Sequence, residues 1–313
     1  MKIAYLISAY TDAPHIRFLI DSLLTEDTYF FIHVDKKVDI EPFKIAVKDK
    51  KHVCLLENRI KVAWGGWSQV ETQIEMIKSA KNANVEFDYF FIISGQDYPI
   101  WSNARIQNYL ASIGDKELIC AKNLCHSTQE EKDGYSTVRP FNDHQFRPHT
   151  PLSVFRVLSR NFIKLLGIRK KLEFDADGHH YQLYKGSDYF GISRKLADFI
   201  LDRWQHSPEL KQYYKNSFIP SETFIHTIVF SSSWKDKCQE RDGDASFSDI
   251  TLLTYIDYPG PIHIKKLDES DYNRIVESDK MLCRKVVTKI SDNLVRLIDK
   301  KREEEEQSFV ESK

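Results

Sequence analysis

The sequence predicts an α/β protein: a mostly parallel sheet flanked by helices, with a C-terminal helical appendage. Three observations predict it. Apolar strand-like runs alternate with helix-period segments through the N-terminal half. Two of those runs, YFFIHVD and YFFIISGQD, end in carboxylates, Asp35 and Asp97, where an open parallel sheet holds its ligands. A periodic apolar stripe then runs through the tail from Lys285 to Glu306.

Taken in order, KIAYLIS is a continuous apolar run and reads as a buried first strand. It is too short to span a membrane and lacks the segment order of a signal peptide. HIRFLIDSLL has helical spacing, YFFIHVD is a second buried strand, and HVCLLE is a shorter third. WSQVETQIEMIKSAKNA is an amphipathic helix with Val70, Ile74, Met76 and Ile77 on its buried side and Ser68 as its N-cap. FDYFFIISGQD is the fourth strand, and ARIQNYLASI another helix. The stretch 123–151 reads as a long surface loop, and LSVFRVLSRNFIKLLG as a helix with a basic face. A strand pair (YQLYKGSDYFGIS), a helix (RKLADFILDRWQ), a late strand (ITLLTYIDY) and a short helix (DESDYNRIVES) follow. From Lys285 to Glu306 one helical pattern puts Val286, Ile290, Leu294, Leu297 and Ile298 on one side. No repeat or linker interrupts the chain. The expected organisation is one compact domain over 1–285, then a helix and charged tail over 286–313.

The 313 residues carry 45 basic and 46 acidic side chains, a balance that argues against a general nucleic-acid binder but leaves room for a local basic pocket. Five cysteines without CxxC spacing read as reduced thiols. No window approaches eighteen apolar residues, so a cytoplasmic protein is expected.

The chemistry is carried by small constellations, since no Walker loop, GxGxxG, HExxH or GxSxG occurs. Asp175-Ala-Asp177 and Asp242-Gly-Asp244 have the spacing that holds a divalent cation, yet neither follows a buried strand and both read as turns. His179 and His180 are adjacent and face different ways. If a diphosphate is bound, the basic pair Arg284-Lys285 at the head of the tail could neutralise it. Trp64 and Trp67 flank Gly65-Gly66, which is either a tight turn pinned by core aromatics or a flat face for a nucleobase beside a closely approachable backbone. In SFIPSETFIHTIVFS, Pro220 and Ser221 are helix-start signals. Glu222 is either an ordinary first-turn acid or a base that takes a proton from a substrate.

Together AYLISAY, FFIHVDKK, VAWGGWSQVETQIEMI, YFFIISGQDYPIWSN, KGSDYFGIS, IPSETFIHTI and MLCRKV, in this order, resemble the core-2/I-branching β-1,6-N-acetylglucosaminyltransferases and the related peptide xylosyltransferases. The resemblance spans most of the chain from Lys2 to Val286, and its compact bacterial-type branch is the nearest likeness, with no stem or membrane anchor visible. It implies a GT-A-type, Rossmann-like domain that uses a UDP-sugar with GlcNAc as the expected sugar, inverts the anomeric carbon and needs no metal cofactor. It carries the catalytic base onto Glu222 and the nucleotide contacts onto Asp35 and Trp64, with Ser68 in the same segment. The diphosphate contact falls on Lys285, helped by Arg284. Asp97 matches an acid near the donor sugar, and Ser187 and Tyr189 a segment beside the active site.

Thr254 stands where many bacterial relatives have an arginine, and Lys265 or Lys266 are the replacements to consider. UDP-xylose, UDP-glucose or UDP-galactose as donor, and a non-catalytic sugar-nucleotide-binding module, remain alternatives. The expected acceptor is a glycan or glycoconjugate, with polysaccharide biosynthesis as the setting. Three destinations fit the C-terminal stripe: its own domain, a second chain, or the inner face of an anionic membrane.

Overall fold

β1 (Ile3–Ala9) is the central strand of a five-stranded sheet, and its residues are apolar on both faces because both faces are covered. The computed structural model describes residues 1–144, 149–259 and 264–311. α1 (Ala13–Leu23) follows, capped by Asp12, whose side chain also accepts from the Thr288 amide and hydroxyl. β2 (Thr28–Val34) pairs parallel with β1. α2 (Glu41–Val47) leads to β3 (Val53–Leu55), parallel to β2. α3 (Trp67–Lys81) buries Val70, Ile74, Met76 and Ile77, the expected side. β4 (Tyr89–Ser94) is parallel to β1 on its other edge.

The chain then departs from simple alternation. β5 (Asp97–Pro99) leaves the main sheet, and α4 (Asn103–Ser112), capped by Ser102, precedes β6 (Cys120–Asn123). The stretch read as a surface loop contains α5 (Gln129–Ser136), which buries Tyr135 against Phe218. Local polarity hid this, because one aromatic anchors an otherwise charged helix. α6 (Pro151–Leu165) is capped by Thr150. β7 (Glu173–Ala176) and β8 (His179–Gln182) form a hairpin.

The predicted strand pair is β9 (Tyr184–Gly186) and β10 (Phe190–Ser193), but the two belong to different sheets. β10 closes the main sheet antiparallel to β4, giving the order β10-β4-β1-β2-β3. α7 (Arg194–His206), α8 (Pro208–Tyr214), a 3-10 turn (Pro220–Glu222) and α9 (Phe224–Phe230) pack behind it. β11 (Gln239–Arg241), α10 (Phe247–Ile250), β12 (Thr254–Ile256), α11 (Tyr272–Glu277), β13 (Leu282–Arg284) and α12 (Asp292–Glu311) complete the chain. The result is a mixed α/β architecture with a central sheet flanked by helices.

Two local expectations are corrected. α3 begins two residues early with Gly66 as its N-cap, so Ser68 lies inside the first turn. The tail is not one helix from Lys285: Arg284 ends β13, and α12 starts at Asp292. Of the three destinations for the stripe of that helix, its own domain is the one its buried residues take. Leu294 and Ile298 are fully buried in the core beside α1 and α4, Arg302 donates to the Trp101 carbonyl at 2.9 Å, and Glu305 accepts from the Ser102 amide at 2.7 Å. Ile290 and Leu297 lie off the buried line and are exposed. Among the described residues no helix is long and apolar enough to cross a membrane, and all five cysteines are unpaired.

Candidate active site

β13 lies antiparallel to β5 with Arg284 directly opposite Asp97. The Arg284 guanidinium donates to Asp97 Oδ1 at 3.1 Å, and Asp97 Oδ2 accepts from the Ser94 amide at 2.8 Å. Asp97 is 0% exposed. Burial pushes its carboxyl up, while Arg284 and the Ser94 amide pull it back. The acid expected near a donor sugar is therefore committed to its arginine. Arg284 also lies over the Tyr189 ring, 4.8 Å from its centroid. Its Nε is buried and has no hydrogen-bond partner among the described residues. Ser187, 1% exposed, accepts from the Tyr189 amide at 3.3 Å and so fixes the turn that presents that ring.

Lys285 follows Arg284 directly. Burial lowers its pKa, and the cations of Arg284 and Lys266 lower it further. Crowded positive charge of this kind is relieved by an anion. Lys265, by contrast, is paired with the buried Asp271 at 2.7 Å. Of the two lysines considered as replacements at Thr254, only Lys266 shares the Lys285 field. Thr254 itself is buried in β12, its hydroxyl unpartnered among the described residues.

Glu222 ends the 3-10 turn, and Thr223 separates it from α9. The sequence placed it in the first turn of a continuous helix, where the dipole would stabilise its charge. The backbone breaks instead at Ile219, which adopts φ 41°. Burial, then the Asp188 carboxylate, push Glu222 up to about 7, against Lys185 and a hydrogen bond from the Tyr135 hydroxyl to Oε2 at 2.9 Å. No hydrogen bond among the described residues engages Oε1. Asp188 accepts from Gln73 Nε2 at 3.4 Å, and burial raises its pKa against the pull of Ser221, Arg284 and Gln73. Tyr258 feels both halves: burial and Glu222 raise its hydroxyl to about 12, and Arg284 opposes them. Arg284, Asp188, Tyr258 and Glu222 thus share one electrostatic neighbourhood.

Asp35 follows β2 and is 6% exposed. Its Oδ1 accepts from the Lys37 amide at 2.9 Å and the Val62 amide at 3.4 Å, and its Oδ2 lies 3.3 Å from Lys37 Nζ. The Val62 contact ties it to the strip that leads to the two tryptophans, which part company. Trp67 is core, stacked on Trp204 at 5.6 Å, whereas Trp64 is 74% exposed. Gly65 between them has φ 70°, and a Cβ on Gly66 would fall 2.3 Å from Asp143 Oδ1, so the turn needs both glycines. Ser68 holds this turn: its Oγ accepts from the Ala63 amide at 2.8 Å and donates to Asp143 at 2.9 Å. That hydroxyl is bonded within the protein on both sides, which makes Ser68 a strut of the turn.

The two Asp-x-Asp triplets have local duties. Asp175 bonds His180 at 2.8 Å, and Asp177 accepts from the Glu209 and Leu210 amides that open α8. Asp242 and Asp244 are exposed. No group of three potential metal ligands occurs among the described residues.

The structure thus brings Asp97, Tyr189, Arg284 and Lys285 together, with Glu222 linked to Arg284 only through Asp188 and Tyr258. Asp35 and Trp64 form a separate rim. Asp188, Tyr135, Lys185 and Tyr258 were missed. Asp188 sat in plain view between Ser187 and Tyr189; the others lay in segments read as loop or strand.

A xylosyltransferase of Ciona intestinalis is 23% identical over 254 residues, 76% of this chain and 26% of its own length. The mouse N-acetyllactosaminide β-1,6-N-acetylglucosaminyl-transferase is 24% identical over 230 residues, 72% of this chain and 52% of its own. The chain therefore spans about a quarter to a half of these relatives. Among solved structures, a 4-diphosphocytidyl-2C-methyl-D-erythritol synthase from Anaerococcus prevotii superposes with a TM-score of 0.39 at 11% identity, over 80% of this chain and 90% of that one, too loosely to support an argument. The sequence model of the Core-2/I-Branching enzyme family matches residues 3–276. That match covers most of the chain, and the protein belongs to the Core-2/I-branching enzyme family.

Proposed function

We propose that the protein is an inverting glycosyltransferase that moves a sugar from a UDP-sugar to a glycan hydroxyl, using a GT-A-type domain and no divalent metal. The observation that carries this reading is Glu222: a partly buried carboxyl held near 7, with one oxygen bonded by Tyr135 and the other open. A base working at neutral pH needs such a balance, ionised enough to accept a proton and basic enough to keep it. The acceptor hydroxyl oxygen attacks the anomeric carbon while its proton passes to Glu222. The anomeric C–O bond to the β-phosphate breaks on the opposite face, and its electron pair leaves with UDP. Lys285, with Arg284 behind it, neutralises the developing charge in place of a metal. Trp64 offers an exposed ring for the uracil, and Asp35 a carboxylate beside it. The relatives' names support GlcNAc and xylose as the first donors to try.

Calorimetric titration in EDTA with UDP, UDP-GlcNAc, UDP-xylose and UDP-glucose tests the reading. Binding should survive chelation and weaken about 10- to 100-fold in Lys285→Ala, the scale of one hydrogen bond to a charged group. Binding that appears only with Mn²⁺ would sink the metal-free diphosphate site. The pH profile of kcat/KM offers a second check. It should fall below about 7 as Glu222 takes up its proton, and the limb should move toward acid in Asp188→Asn, where a charge that raises Glu222 is gone. An unmoved limb would exclude Asp188 as the tuning group.

A further inference from the structure

α6 is amphipathic but faces the wrong way for a helix of a water-exposed surface. Ser153 is its only buried residue. Its polar edge rests on the protein: Arg156 donates to the His144 carbonyl at 3.2 Å, and Arg160 to the Pro140 carbonyl and Asn142 Oδ1, each at 3.2 Å. The apolar edge points outward. Phe155, Leu158, Phe162 and Leu165 recur at helical spacing, and Phe155 packs on the half-exposed Phe141 at 5.8 Å. Nine large apolar side chains from Leu152 to Ile168 are 50–82% exposed, half of the eighteen such residues described in the whole chain. A contiguous outward apolar face of this kind marks a contact surface.

Charge says what it contacts. Not one of the 46 acidic residues falls between Asp143 and Glu173, while Arg156, Arg160, Lys164, Arg169, Lys170 and Lys171 all do. Arg169 pairs with Asp133, and Lys170 turns inward to the Tyr213 carbonyl and Ser217 hydroxyl. No ion pair among the described residues engages Lys164 or Lys171, both exposed. An apolar helix face bordered by cations and free of anions is the pattern of a helix lying in the headgroup layer of an anionic bilayer.

We propose that α6 is a membrane-surface helix that docks the protein on anionic lipid, its apolar face in the interfacial layer and Lys164 and Lys171 at the phosphates. The same helix is tied to the proposed nucleotide rim through Arg160 and Asn142, whose amide donates to the Gly65 carbonyl. Docking would therefore hold the Trp64 turn at a fixed position relative to the bilayer.

Co-sedimentation of the full chain with phosphatidylcholine vesicles, with and without phosphatidylglycerol, tests it. Wild type should sediment with the anionic vesicles, less so at high salt, and remain in solution with phosphatidylcholine alone. Phe155→Glu/Phe162→Glu should lose the partition by roughly tenfold or more, and Lys164→Glu/Lys171→Glu should lose the preference for phosphatidylglycerol. The lysine pair keeps the test decisive if the phenylalanine pair compromises folding, which near-ultraviolet circular dichroism would show. Wild type left in the supernatant with anionic vesicles would overturn the proposal. So would a lipid-free dimer in sedimentation velocity that Phe155→Glu/Phe162→Glu dissolves, since that assigns the face to a second copy. The assay needs no turnover, so it can fail without touching glycosyl transfer, and the reverse.

Discussion

Glu222→Gln is expected to lower kcat by about 10²- to 10⁴-fold, the range a general base supplies, while leaving UDP affinity close to wild type. Glutamine keeps the shape and still accepts from Tyr135, so what is removed is the capacity to take a proton. The same substitution has an opposite effect on stability. The folded protein holds the Glu222 proton at about 7, above the 4.5 of an ordinary glutamate. The stability linked to that proton is fully present below about 4.5 and is lost as pH rises through about 7. At pH 8 the wild type carries a partly buried anion beside Asp188, and the glutamine variant does not. Glu222→Gln should therefore melt higher than wild type at pH 8, by on the order of 2 kcal/mol, with the gap closing toward pH 4–5. An inactive variant that is no more stable at pH 8 would mean that Glu222 is not held under strain, and the base assignment would lose its physical footing.

The residues best read from the sequence were those whose signal is local. The apolar runs of β1, β2 and β4 cannot be exposed without large cost, so their burial and parallel pairing followed from composition and alternation. The buried face of α3 followed from spacing. What the sequence could not carry were pairings between distant segments. Arg284 meets Asp97 only because β13 returns beside β5, 187 residues later, and this is why an acid that looked free at a strand end is neutralised. Tyr135 finds Glu222 across 87 residues, from a stretch whose polarity read as loop. Ser68 illustrates the same limit: its position suggested a cap, but the distant Asp143 decided its bonds. α6 is the reverse case. Its helical period was plain, yet the direction of its apolar face is a tertiary fact.

The buried Asp97–Arg284 pair allows a role in folding to be separated from a role in binding. Arg284→Met is expected to destabilise the protein by about 3–5 kcal/mol, because Asp97, 0% exposed, would lose the cation that offsets its burial and keep only the Ser94 amide as a partner. Asp97→Asn strands the opposite charge, although the Tyr189 ring still lies against the guanidinium. Combining the two removes both charges, and the double variant should regain much of the stability that Arg284→Met loses, since a neutral pair carries no uncompensated burial. UDP affinity should not return with it. Arg284 Nε is buried without a hydrogen-bond partner among the described residues and stands next to Lys285, whose charge is already crowded by its neighbours. Denaturant unfolding and UDP titration of the two single variants and the double variant decide the matter. Recovery of stability alone assigns Arg284 to the diphosphate as well as to the fold. Recovery of both would reduce it to a strut and leave Lys285 to meet the leaving phosphate with Lys266 as its nearest help.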